Sequence, residues 1–133
     1  MKTRKKQGQV NFRLGDFLIR LKNAGMANYK EVRMPVSKLV LEVAKLLEKE
    51  GYLSQVKKDG SELHVSLAYF KKEPVFSDIK LVSKPGLRIY MDAKTLAEKR
   101  GPSFYIISTS KGLMTAKEAI KGNFGGEVLA EIF

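Results

Sequence analysis

From residue 12 onward the apolar positions fall into short periodic runs, separated by glycine, proline and charge. Leu14, Phe17, Leu18 and Leu21 recur at helical spacing and Gly25 interrupts them, which predicts a first helix starting near Phe12. YKEVRMPV is short, contains β-branched residues and runs into Pro35; it predicts an edge strand. Ser37 then stands where an N-cap belongs. The helix it opens presents Leu39, Val40, Val43, Leu46 and Leu47 on one face, and Gly51 occupies the place of a left-handed C′ residue. Residues 52–58 and 63–69 predict two strands around Asp59-Gly60, a hairpin signal. In the order αβαββ, two helices can cover one face of a sheet.

KKEPVFSD at 71–78 predicts a break, with charge, a proline and little to pack. Beyond it, 78–82 and 87–91 predict strand segments interrupted by SKPG, 93–100 a short helix and 104–108 a strand. Thr115-Ala116-Lys117-Glu118 has the capping-box pattern and opens a short helix closed by Gly122; 127–133 predict a final strand. No internal repeat or low-complexity tract is visible. The expected class is α/β in the α+β sense: a basic arm at 1–9, an N-terminal αβαββ module at 10–72, and a C-terminal module at 73–133 that is mostly β with short helices.

Charge changes this picture. The chain has 133 residues, with 25 Lys+Arg against 14 Asp+Glu, a net charge of +11. Such a balance in a small globular protein points to a polyanionic partner, nucleic acid before an acidic membrane surface. Residues 1–72 hold 16 basic and 7 acidic side chains, net +9, and residues 73–133 hold 9 and 7, net +2. The arm carries Lys2, Arg4, Lys5 and Lys6 and almost nothing apolar, so it is expected to be mobile and able to order on phosphates. There is no cysteine, hence no disulfide or thiolate metal site. The start lacks the apolar stretch of a signal peptide, and no run is long enough to span a bilayer.

The chemically distinctive stretch is IISTSKGLMT at 106–115. Ile106 and Ile107 suit a buried strand; Ser108, Thr109 and Ser110 do not, because a buried hydroxyl needs a partner. Ser108-x-x-Lys111 formally matches a penicillin-recognising motif, but the Ser-Asp-Asn and Lys-Thr-Gly companions are absent. His64 is the only histidine, and strand alternation places it opposite Leu63 and Val65, as a structural or exposed residue. No catalytic residue, metal constellation or cofactor is expected. Hydroxyls suit ribose 2′-OH groups and base edges in the shallow minor groove of RNA, Lys111 suits phosphate, and Gly112 permits close approach or positive φ. An ST-turn, in which the hydroxyls only satisfy their own loop, explains the same residues. Local chemistry leaves both open.

VSKPGLRIY at 82–90, IISTSKGLMT and the closing GNFGGEVLAEIF at 122–133 together resemble the bacterial type of the universal uS-eight family of small ribosomal subunit proteins. GDFLIRLKNA at 15–24 and MPVSKLVLEVAKLLEKEGYL at 34–53 extend the resemblance more weakly. The resemblance implies two α/β modules side by side. It also implies a non-enzymatic, primary rRNA-binding protein of the cytoplasmic ribosome. Such a protein grips the central domain of small-subunit rRNA, helps assemble the platform, neighbours other small-subunit proteins, and in many bacteria represses its own operon through the mRNA. The contact residues it implies map onto Tyr90, onto Ser108, Thr109, Ser110, Lys111 and Gly112, and onto Gly125, Gly126 and Glu127. Lys84 and Arg88 of the first stretch join them as basic candidates.

Two rival classes remain for comparison. An RNA-processing enzyme needs a carboxylate cluster or an acid/base pair, and none can be picked out. A membrane-surface protein needs an amphipathic helix with a basic face, which the first helix provides poorly.

Overall fold

The structure, a computed structural model, describes residues 2–99 and 103–133, with side chains from residue 13 onward. The chain divides into two compact units, 1–77 and 78–133. In the first unit, α1 (Lys2–Met26) and α2 (Lys38–Lys49) accompany an antiparallel sheet of β1 (Glu31–Pro35), β2 (Leu53–Asp59) and β3 (Glu62–Leu67), in the order β1-β3-β2. Leu14, Phe17, Leu18 and Leu21 of α1 are buried with Val40, Val43, Leu46 and Leu47 of α2 and Leu63, Val65 and Leu67 of β3. Removing a side chain of this size from water is worth about 1.5–3 kcal/mol, so this shared interior holds the unit together. The helical period of two segments and the alternation of the third aim those residues inward.

The start of α1 lies ten residues before the expected Phe12, at Lys2. The side chains expected to form the basic arm at 1–9 lie outside the described residues. Gly25 does not stop this helix. The backbone N–H groups of Asn28 and Tyr29 donate to the carbonyls of Gly25 (3.2 Å) and Ala24 (2.8 Å), and Asn28 takes the left-handed φ of 59°. That is a Schellman ending with asparagine at C′. Ser37 caps α2 as expected, accepting from Val40 N at 3.3 Å, and Gly51 closes it at φ 89°.

The expected break at 71–78 contains structure. β4 (Tyr69–Phe70) and β5 (Glu73–Pro74) form a two-rung hairpin, and Phe76, 5% exposed, is part of the core.

The second unit is a sheet in the order β6-β10-β8-β9: β6 (Ile79–Leu81), β8 (Phe104–Thr109), β9 (Gly112–Thr115) and β10 (Gly126–Ile132), with β7 (Tyr90–Met91) also pairing with β10. α3 (Ala93–Glu98) and α4 (Ala116–Gly122) complete it; Leu96, Ala119, Ile107 and Val128 form a buried cluster. β9 was not expected. Thr115 and Glu118 form the reciprocal capping box, but α4 ends through Asn123 at φ 59°, not through Gly122.

Candidate RNA interface

β10 brings the candidate residues together. Glu127 is the cross-strand partner of both Tyr90 and Ser108, and Ser108 pairs with Leu113 of β9. Directly paired residues share a face, so Tyr90, Glu127, Ser108 and Leu113 form one row across four strands. Tyr90 is 68% exposed, an unusual setting for an aromatic ring. Arg88 points a guanidinium nitrogen at both carboxylate oxygens of Glu127, 3.5 Å from each, so the one acid in the row is faced by a base. Just past Val128 the register with β8 shifts, an irregularity of the β-bulge kind.

The two glycines before Glu127 serve backbone approach. A Cβ on Gly126 would stand 2.2 Å from the Ser108 carbonyl oxygen, and one on Gly125 would stand 3.0 Å from both Cα of Asp92 and the Met91 carbonyl oxygen. Only glycine lets β10 pass between β7 and β8 at this point.

The hydroxyl row divides by role. Thr109 Oγ1 donates to the Gly112 carbonyl (2.9 Å) and accepts from the Lys111 backbone N–H (3.1 Å), the hydrogen-bond pattern of an ST-turn. Ser108, at the end of β8, is half-buried; Ser110 and Lys111 form the exposed hairpin tip. Gly112 absorbs the positive φ of 115° that closes the turn. Among the described residues neither the Ser108 nor the Ser110 hydroxyl has a protein partner, and neither is buried without one.

Lys84 begins a tight turn through Pro85 and Gly86 (φ 82°), where Lys84 and Leu87 exchange two backbone hydrogen bonds of 2.9 Å. Its side chain is exposed, and among the described residues no hydrogen bond or ion pair ties it to the row. Sequence reasoning missed Ser83. Its hydroxyl, in a residue 2% exposed, donates to the Val128 carbonyl (2.7 Å) and accepts from the Ile89 N–H (3.0 Å), fastening the Arg88–Tyr90 stretch to β10. It also missed Asp92, which caps α3 by accepting from Thr95 N at 2.8 Å. Thr95 side-chain and backbone hydrogen bonds hold its carboxyl below the usual aspartate range. Among the described residues no group of three or more His, Cys, Asp or Glu is arranged for a metal, and no helix is long and apolar enough to cross a membrane.

A sequence model described as ribosomal protein S8 matches residues 13–133. The chain belongs to the ribosomal protein S8 family. Single members match it over nearly the whole chain. It is 40% identical over 121 residues to the small ribosomal subunit protein uS8 of Nitratidesulfovibrio vulgaris, covering 90% of this chain and 96% of that one. It is 42% identical over 125 residues to the uS8 of Wolbachia pipientis (90% and 95%), and 38% over 131 residues to that of Trichormus variabilis (93% and 98%). These relatives are bacterial, as the sequence resemblance implied. The family is one of structural, non-enzymatic proteins.

Proposed function

We propose that the second unit, 78–133, is an RNA-reading module that binds the central domain of small-subunit rRNA. Family membership makes the chain a structural component of the small ribosomal subunit, at work with rRNA and neighbouring proteins in the cytoplasmic ribosome. Within that role it binds rRNA directly, helps assemble the platform, and represses its own operon by binding an mRNA structure of the same shape. The observation that carries the reading is the exposed Ser110–Lys111 tip beside a row holding Tyr90, Ser108 and Glu127. Thr109 and Gly112 shape the tip; Ser110 and Ser108 offer unengaged hydroxyls to 2′-OH groups and base edges; Lys111 meets phosphate; Tyr90 offers a stacking face. Arg88 and Glu127 supply a donor and an acceptor, and Lys84 adds positive charge on the neighbouring turn.

Ser110→Ala tests it. Affinity for a central-domain transcript falls by about 1–3 kcal/mol, because an RNA group loses its partner. The salt dependence stays near wild type. Lys111→Ala does the reverse, flattening the salt slope by about 0.7–0.9. If Ser110→Ala lowers the melting temperature yet leaves the affinity of the folded protein unchanged, the hydroxyl only braces its loop and the assignment of Ser110 is wrong.

A further inference from the structure

The first unit carries a cleft that the row on β10 does not use. It lies between the end of α1 and the β4–β5 turn and encloses about 500 Å³. Phe76 and Pro74 line it and approach α1 closely because residue 25 is glycine: a Cβ there would stand 3.1 Å from the Phe76 ring and 3.4 Å from Pro74. Three lysines, Lys22, Lys71 and Lys72, line it against a single carboxylate, Glu73. Lys71 and Lys72, adjacent in the turn, repel one another, and an anion seated beside them relieves that repulsion.

The turn that delivers two of these lysines is strained. Lys71 and Lys72 sit between the paired Phe70 and Glu73 with φ of 52° and 69°, both left-handed. A two-residue turn with two positive φ angles favours Asn-Gly, and a lysine in that region lacks the short polar side chain with which asparagine hydrogen-bonds its own backbone. Strain held in an exposed turn points to a use outside the fold. Beside it Phe70 is 69% exposed, with Lys71 Nζ 5.4 Å from its ring centroid. Among the described residues Lys72 makes no ion pair.

From these features we infer that the cleft is a second RNA contact, taking backbone phosphates on Lys71 and Lys72 of the turn. It works independently of the hairpin tip in the other unit. The inference rests on the RNA-binding reading above.

The test uses the full chain and a transcript of the small-subunit rRNA central domain. Lys71→Asn combined with Lys72→Gly gives the turn the residues its backbone favours while removing both charges. Melting temperature holds or rises, and the slope of log affinity against log salt becomes shallower by about 1.4–1.8, two phosphates' worth. Lys57→Gln with Lys58→Gln removes the same charge from exposed β2 positions outside the cleft and moves the slope by less than half as much. An unchanged slope in the turn variant, or an equal change in the β2 variant, overturns the cleft.

Ser110→Ala, measured in parallel, separates the two readings. Loss of affinity there with a wild-type slope in the turn variant leaves the tip standing and the cleft refuted. The opposite pattern refutes the tip alone, and a wild-type chain that does not bind the transcript refutes both. If the turn variant binds RNA as wild type but enters reconstituted subunits poorly, the cleft serves an acidic protein neighbour instead, and the RNA assignment falls.

Discussion

Ser83 does more than its neighbours on either side. Its hydroxyl joins two backbone segments, and without it the Ile89 N–H and Val128 carbonyl lose a buried partner. Ser83→Ala therefore costs about 1–3 kcal/mol of stability in urea or thermal unfolding. A change below about 0.5 kcal/mol would mean that water replaces the hydroxyl at no cost. Asp92 makes the stability of the second unit depend on pH. Its folded carboxyl titrates below its unfolded value, so its contribution is complete above the ordinary aspartate value of about 3.9 and disappears as pH falls through the folded value. Asp92→Asn still caps α3 but does not titrate, so melting temperature measured from neutral to acid pH falls less steeply in that variant. At this scale the sequence showed which residues were unusual but not how they divide the work. Three hydroxyls in a row stand out as letters; that Thr109 braces the turn while Ser110 faces outward depends on geometry two residues wide. Ser83 gave no sign, because one serine before a Pro-Gly turn looks like any loop residue.

Elements were readable where burial and period agree. The amphipathic faces of α1 and α2 and the alternation in β3 appear where the pattern placed them, except that Leu39, expected on the buried face of α2, is only half-buried while Ala44 is buried. Their ends were less readable. Gly25 and Gly122 were expected to terminate helices, yet asparagines at 28 and 123 take the left-handed position in both cases. The two glycines answer to packing: a Cβ would meet Phe76 at the first and the Phe124 ring, at 2.5 Å, at the second. Glycine has two physical uses, conformation and space, and one sequence cannot tell them apart. The distinction is measurable in the second unit. Gly126→Ala puts a methyl group against the Ser108 carbonyl and forces the central strands β8 and β10 apart, at about 3 kcal/mol or more. Gly86→Ala has open space and suffers only its positive φ of 82°, about 1 kcal/mol. Equal losses in the two variants would contradict the close approach of β10 to β8. β9 escaped prediction because Leu113 and Met114 are too short an apolar run to separate from the capping box that follows.

For the whole molecule, a net charge of +11 forecasts binding that weakens steeply with salt. The slope is about −0.7 to −0.9 for each phosphate contacted, and a flat response between low and physiological salt would remove the electrostatic account. Net charge is concentrated in the first half and the hydroxyl row lies in the second, so on the RNA-binding reading proposed above attraction falls to the first unit and discrimination to the second. The sheet of the second unit also sets an order of events during synthesis. β10 is its central strand, yet it is the last of its strands to be made, and its partners at 79–81, 90–91 and 104–109 precede it by up to about fifty residues. Until residue 132 has left the ribosome, those partners have unpaired edges and no shared core, while the first unit already has every strand it needs. A chain interrupted near residue 125 would thus carry one folded unit and a tail of exposed strand edges, the kind of species that chaperones hold and proteases remove. Pairing across this sheet is complete only once β10 has been made, so its folding registers that synthesis has passed residue 132.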